Sequence, residues 1–542
     1  MKRSVFVLLW LVIISPLAAA QTPSGAGSVS KVWVADNGDG TYKNPVLHAD
    51  YSDPDAVRVG DDYYLTSSSF NFAPGLPILH SKDLVNWTIV GHVFRQQPPA
   101  EVFAKPQHGN GVWAPSIRYH GGEFYIFYPD PDRGIYVVKA KDAAGPWSEP
   151  LLMKEARGWI DPCPLWDDDG NAYLVTGVAA SRAGIKSILL VSPMSPDGTR
   201  LTGDPVIVFE GHAKHPTVEG PKFYKRGGYY YILAPAGGVE TGWQLALRSR
   251  NVFGPYEEKV VLAQGKTKVN GPHQGALVDT QTGESWFLHF QDKGPYGRIV
   301  HLEPVRWVND WPVMGADPDG DGTGEPVLTY KKPNVGKTWP VATPQESDEF
   351  DGTTLGLQWQ WFANPQTNWF FLGGSYGFLR LMNVPLPEGF RNFWDVPNVL
   401  AQKFPAPAFT ATTKVTFTAR TDDERAGLIV AGQDYSYISL KKKGDGLFVS
   451  QTVCKDAEKG TPETESAAAP VKGDTFYLRV KVSEGAVCNF SYSADGKTFT
   501  PVGQPFTAKQ GKWVGSTVGL FAVRRGMVRE VGYADFDWFR IE

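Results

Sequence analysis

One short pattern recurs five times in the first 330 residues, and it constrains the fold more than any other feature. A Gly-rich or acidic turn is followed by an aromatic-rich apolar strand: GDDYYLT from Gly60, GGEFYIF from Gly121, DGNAYLV from Asp169, GGYYYIL from Gly227 and TGESWFL from Thr282. The spacings are 61, 48, 58 and 55 residues, each the size of a four-stranded unit. Every copy reads as the turn and second strand of a hairpin. Repeated sheet units of this length predict an all-β chain that opens with a five-bladed β-propeller, its blades packed radially around a channel. A sandwich of similar strands has no reason to repeat at such a period.

The position where each preceding strand begins holds Asp53, Trp113, Asp161, Glu219 and His273, at 7, 8, 8, 8 and 9 residues before the repeat. The first strand of a propeller blade lines the channel. Equivalent offsets therefore place three carboxyl groups, an indole and an imidazole at one level of one rim. Carboxyl groups crowded in a concave site repel and separate in pKa. One protonated and one ionised carboxyl is what acid–base hydrolysis requires, and glycoside cleavage uses two on opposite faces of a sugar. Phe70, Phe72 and Trp113 are candidate apolar faces for sugar C–H groups, and Arg298 could neutralise a carboxylate or hold a hydroxyl. Singly, an Asp before Pro is commonly a turn former; it is the convergence that turns Asp53, Asp161 and Glu219 into a site. His273 is open between metal ligand, substrate contact and channel plug.

Residues 1–20 read as a signal peptide: Lys2 and Arg3, an apolar run too short to span a bilayer, and Ala18-Ala19-Ala20. The mature chain is thus expected to be exported, to the periplasm or outside the cell, with no membrane attachment. Residues 21–40 form an N-terminal segment, 41–330 the propeller, and the polar, Pro-bearing stretch 331–345 a linker. From 346 to 542 short alternating strands predict an antiparallel, jelly-roll-like β-sandwich. Asp351 and Asp537, at its two ends, are candidates for a structural cation. With a net charge of −4 and no block of like charges, the sequence argues against a nucleic-acid surface.

Only 3 cysteines are present, too few for a disulfide framework. Cys454 and Cys488 lie in strand-like runs and could pair in an oxidising compartment, leaving Cys163. Asp317, Asp319 and Asp321 are spaced as in a calcium loop, but Leu328 stands where the bidentate Glu belongs, so a solvated interdomain loop is the better reading. Asn86 and Asn489 head glycosylation sequons. No Gly-rich phosphate loop, zinc-type Cys/His spacing or nucleophile elbow occurs.

The ordered motifs NPVLHADYSDPDAVRVGDDYYLTSSSF, GVWAPSIRYH, WIDPCPLWDDDG, TVEGPKFYKRGGYYYI and PYGRIVHLEPVRW resemble glycoside hydrolase family 43. The C-terminal region resembles the accessory domain of that family's β-xylosidase and α-L-arabinofuranosidase branch. This resemblance implies inverting hydrolysis, exo-acting on xylose- or arabinose-containing plant cell-wall oligosaccharides. Asp53 would be the general base, Glu219 the general acid, and Asp161 would tune and orient that acid. Arg298 would contact substrate, Phe70 and Trp113 would shape the pocket, and His273 would lie in the channel beneath. No cofactor is expected to be required, although some relatives hold a calcium or sodium ion near that histidine. Inversion needs room for water, so carboxyls of Asp53 and Glu219 about 6.5–9.5 Å apart are expected. Two other readings stay open: an endo-arabinanase-like hydrolase with an open groove, and a non-catalytic carbohydrate-binding propeller.

Overall fold

The computed structural model describes residues 29–526 and 530–542; the signal peptide assigned to 1–20 lies outside them. Five four-stranded antiparallel sheets follow one another along the chain, each in simple sequential order. The first blade comprises Asp55–Val59, Asp62–Thr66, Gly75–Ser81 and Trp87–Phe94. Blades two to five begin at Ser116, Trp159, Lys222 and His273. Each repeat copy is indeed the turn and second strand of a blade, as in the pairings Val59↔Asp62 and Arg226↔Tyr229.

The aromatic richness of those strands follows from blade packing. In a strand, alternate side chains face opposite sides, and here both sides are covered. Tyr63 and Leu65 pack with Ala276, Val278 and Trp286 of blade five. Tyr64, between them, packs with Ile117 and Phe124 of blade two.

The ring is closed by the N-terminal segment. Leu47 exchanges both backbone hydrogen bonds with Val300, and Tyr51 donates to Arg298 O, so this segment runs along the third strand of blade five. Thr41–Lys43 also pairs antiparallel with Thr329–Lys331. Lys332 and Ala342 then tie the following stretch back: Lys332 Nζ reaches Asp36 and Asp83, and the Ala342 amide donates to Asn86 Oδ1. The Asn86 side chain is buried and fully engaged there, whereas Asn489 is exposed.

Beneath the rim, the innermost strands are linked by one polar chain. Asp55 Oδ2 of blade one accepts from the Ile117 amide and from Arg118 Nη1 at 2.6 Å. Arg118 Nη2 donates to Cys163 Sγ of blade three at 2.9 Å, which also accepts from the Phe223 amide. Tyr224 of blade four accepts from the Leu277 amide of blade five. Cys163 is thus a buried acceptor in this network.

The C-terminal domain is a sandwich of two eight-stranded sheets. One is centred on Thr517–Arg524, Arg425–Ala431 and Tyr435–Lys443, the other on Tyr533–Ile541, Phe409–Thr418 and Thr475–Ser483. Alternating inward residues such as Leu428, Val430, Leu520, Val415, Leu478 and Phe536 fill the layer between them.

Two expectations fail in this domain. Cys454 and Cys488 do not pair: all three cysteines are free and buried. They lie in strands of opposite sheets, and Cys454 packs in a cluster separate from the inter-sheet layer that holds Cys488. Asp351 and Asp537 do not form a cation site either. Asp537 is ion-paired with Lys414, Asp351 is exposed, and neither belongs to any group of three ligating side chains among the described residues. Nearby Asp348 instead accepts from the amides of Phe350 and Gly356 and from Trp359 Nε1, as a structural anchor.

The sandwich is docked onto the propeller through main chain as well as side chains. Ala73 and Trp361 exchange backbone hydrogen bonds, and the Ser516 amide donates to Pro295 O at 2.7 Å. The Gly515 amide donates to buried Asp50. His108 stacks on Trp394 with ring centroids 3.6 Å apart.

Candidate active site

The strand starts of the five blades converge on one pocket, lined by Asp53, Phe70, Trp113, Asp161, Glu219 and Arg298. Asp53 sits just before the first strand in the left-handed region (φ 53°), where Asp is better tolerated than most residues. Both of its oxygens are engaged: Arg298 Nη1 donates to Oδ1 at 2.8 Å, and Ser68 Oγ donates to Oδ2 at 2.5 Å. Asp161 also has a positive φ (56°), because it lies in a β-bulge between Ile160 and Cys163 that turns its carboxyl into the pocket.

The Gly220 amide donates to Asp161 Oδ2 at 2.7 Å, which locks Asp161 beside Glu219. Gly220 is required there: its φ is +57°, and a Cβ would lie 2.8 Å from the Gln274 side chain. Glu219 Oε1 is 3.1 Å from His273 Nε2, and its side chain keeps 29% exposure toward the cavity, against 8% for Asp53. Burial, and next the neighbouring Glu219 carboxylate, push the Asp161 carboxyl well above the usual carboxylate range. Burial alone would lower Arg298, but the surrounding carboxylates, Asp53 foremost, outweigh it and hold the guanidinium raised.

Trp113 is braced from behind. Its Nε1 donates to Gly109 O at 2.7 Å, and the Arg182 guanidinium lies 5.1 Å from its ring centre. Phe70 is fixed by a two-way backbone bridge to Val112. His273 starts the innermost strand of blade five and supports Glu219 from below; its Nδ1 has no protein partner, and it joins no metal-type cluster among the described residues.

Phe72 departs from expectation. It faces away from the carboxylates and packs edge-on against Phe362 of the sandwich, ring centroids 5.5 Å apart. Phe70 and Phe72 are two residues apart, but the chain is not a strand at that point, so the two rings do not share a face.

The pocket also contains residues that sequence reasoning missed: Ser181 and Lys186 beside blade three, Gln274, and Trp513. Trp513 comes from the sandwich, on the same turn as Gly515. Its ring abuts Gly109, where a Cβ would stand 2.7 Å from Cδ1, and lies 5.9 Å from the Arg298 guanidinium. It remains 47% exposed, as a wall facing the cavity. No periodic signal marks Trp513, since it belongs to a loop of another domain.

Known proteins share both halves of this architecture. The sequence model for glycosyl hydrolases family 43 matches residues 42–312, and that for the β-xylosidase C-terminal concanavalin A-like domain matches residues 347–542. A putative β-xylosidase of Xylanibacter ruminicola is 41% identical, over 90% of this chain and 88% of its own length. A non-reducing end α-L-arabinofuranosidase of Bacteroides ovatus is 29% identical, over 92% and 94%. The crystal structure of a xylan β-1,4-xylosidase from Bacillus halodurans superposes with a TM-score of 0.81 at 26% identity, covering 92% of this chain and 99% of that one. The propeller that gathers the three carboxyl groups and the sandwich behind it thus have their counterparts in one group of enzymes, and the chain belongs to glycoside hydrolase family 43.

Proposed function

We infer that this protein is an exported, exo-acting pentosidase that removes terminal β-D-xylosyl or α-L-arabinofuranosyl units from plant cell-wall oligosaccharides with inversion. The observation that carries the exo reading is Trp513. By walling the cavity from the sandwich side, beside Arg298, it favours a pocket for a chain end over a groove for a chain interior. The leader-like residues 1–20 support export.

In this reading Asp53 is the general base. An ion-paired carboxylate is an acceptor only, and Arg298 and Ser68 fix its orientation toward a water. The water gives a proton to Asp53 while its oxygen attacks the anomeric carbon, and Glu219 protonates the departing glycosidic oxygen. The C–O bond to the leaving sugar breaks as the new C–OH bond forms on the opposite face.

Asp161 supports the acid: burial, and next the Glu219 carboxylate, hold its own carboxyl raised, and the Gly220 amide fixes its orientation beside Glu219. Glu219 keeps 29% side-chain exposure toward the cavity, where the leaving oxygen would stand.

Hydrolysis of aryl β-D-xyloside and aryl α-L-arabinofuranoside, with proton NMR of the anomer first released, tests this reading. First release of the inverted anomer is expected. Retention would overturn the mechanism, and inactivity on both substrates would favour a binding propeller.

A further inference from the structure

Next to the pocket but outside its lining, the two central strands of blade five carry an unusual buried group. His289 lies on Ser285–Asp292, and His301 and Glu303 lie on Arg298–Val308. His289 and His301 are direct cross-strand partners, and Glu303 pairs with Phe287. Alternation puts all three on the face shared with Phe287 and Val305, which packs against Leu233, Ala246 and Leu262 of blade four. All three are buried.

The hydrogen bonds leave this group short of something positive. His289 Nδ1 is 3.1 Å from Phe290 O. A carbonyl only accepts, so Nδ1 carries the proton, and the lone pair of neutral Nε2 points at Glu303 Oε1, 3.2 Å away. Glu303 Oε2 is already committed to the Val327 amide at 2.8 Å, and Oε1 receives only a long contact, 3.5 Å, from Asn44 Nδ2. A proton on His289 or Glu303 would reconcile that contact, but not the third member: neither ring nitrogen of His301 has a protein partner. A buried imidazole left with its N–H unmatched destabilises the fold. A cation bound by all three side chains satisfies every one of these groups.

We propose that His289, His301 and Glu303 form a structural site for a divalent transition metal of the zinc type, clamping the middle of blade five at its contact with blade four. Two imidazoles and a carboxylate are a zinc-type donor set, not the all-oxygen set of calcium or magnesium. Their ligating atoms lie within 4.8 Å of one another. The 3.2 Å gap between Nε2 and Oε1 is close to the edge of a tetrahedron with bonds of about 2.0–2.1 Å. The His289 Nδ1–H to carbonyl bond is the arrangement that fixes a ligating histidine's tautomer and orientation. Three protein ligands leave one position for water. The site shares no residue with the catalytic pocket, so this proposal stands apart from the assigned activity.

The test is metal analysis of the full-length protein, then chelator treatment and titration with Zn²⁺, Co²⁺ or Ca²⁺. Wild type should bind about one equivalent of zinc or cobalt, show the visible absorption of tetrahedral Co²⁺, and recover a higher melting temperature with these ions but not with Ca²⁺. E303Q and H301Q, which keep size and shape, should weaken binding by about tenfold or more while aryl-glycoside hydrolysis under stabilising conditions persists. No zinc or cobalt binding by wild type would overturn the proposal and assign the open His301 nitrogens to a buried water. Binding untouched by both variants would overturn it by placing the metal elsewhere, for instance at His273 or at Asp317, Asp319 and Asp321. If both variants fail to fold, the chelator and Co²⁺ arms on wild type still decide: a cobalt spectrum without imidazole ligation overturns the proposal.

Discussion

Arg298 Nη1 lies 2.8 Å from Asp53 Oδ1, with both side chains less than 10% exposed. This pair joins the third strand of blade five to the start of blade one, which are at opposite ends of the propeller sequence. Removing one partner strands a buried charge. Arg298→Met is therefore expected to lower stability by about 3 kcal/mol as well as activity. Adding Asp53→Asn should restore much of the stability but none of the activity. Equal stability of wild type and Arg298→Met in urea titrations would contradict the pairing.

Glu219→Gln should cut hydrolysis of natural oligosaccharides by about 10²–10⁴-fold, because a poor leaving group needs the proton. Aryl glycosides with acidic leaving groups should lose far less. A comparison of kcat/KM across leaving groups of graded acidity measures the difference, and uniform loss would remove Glu219 from the acid role.

Trp513→Ala removes the wall supplied by the sandwich. KM should rise on the order of tenfold, about 1.4 kcal/mol of binding, with little change in melting temperature because the ring is 47% exposed. An unchanged KM would mean that the sandwich only supports the propeller.

Asp161 has a signature in stability against pH. Burial first, then the Glu219 carboxylate, raise it from an ordinary value of 3.8 to about 8. A carboxyl raised in the fold contributes stability that is complete below the unfolded value and is lost as pH climbs through the folded one. Asp161→Asn cannot ionise, and its amide oxygen can still accept from Gly220. Its melting temperature relative to wild type should therefore increase from pH 4 to 8; a constant difference would contradict the burial of an ionisable group there.

The free cysteines give a direct count. Thiol titration in denaturant should find 3 reactive groups with or without prior reduction, and reductant should leave the melting temperature unchanged. Fewer groups before reduction would reveal a disulfide.

The sequence by itself determined the blade count, the position of each hairpin turn and the level of the rim, because a repeat is local and carries its own period. Asp53, Trp113, Asp161, Glu219 and His273 could be picked out since equivalent places in equivalent units must converge in a ring. What had no period was decided by tertiary structure alone. The side to which Phe72 turns depends on a loop lying between two domains, and Trp513 reaches the pocket through docking of the sandwich. Cys454 and Cys488 are held apart because their strands fall in opposite sheets, and Asp537 meets Lys414 through strand register rather than meeting Asp351. Sequence spacing reports position along a strand; which partner stands across from it is set by packing between segments hundreds of residues apart.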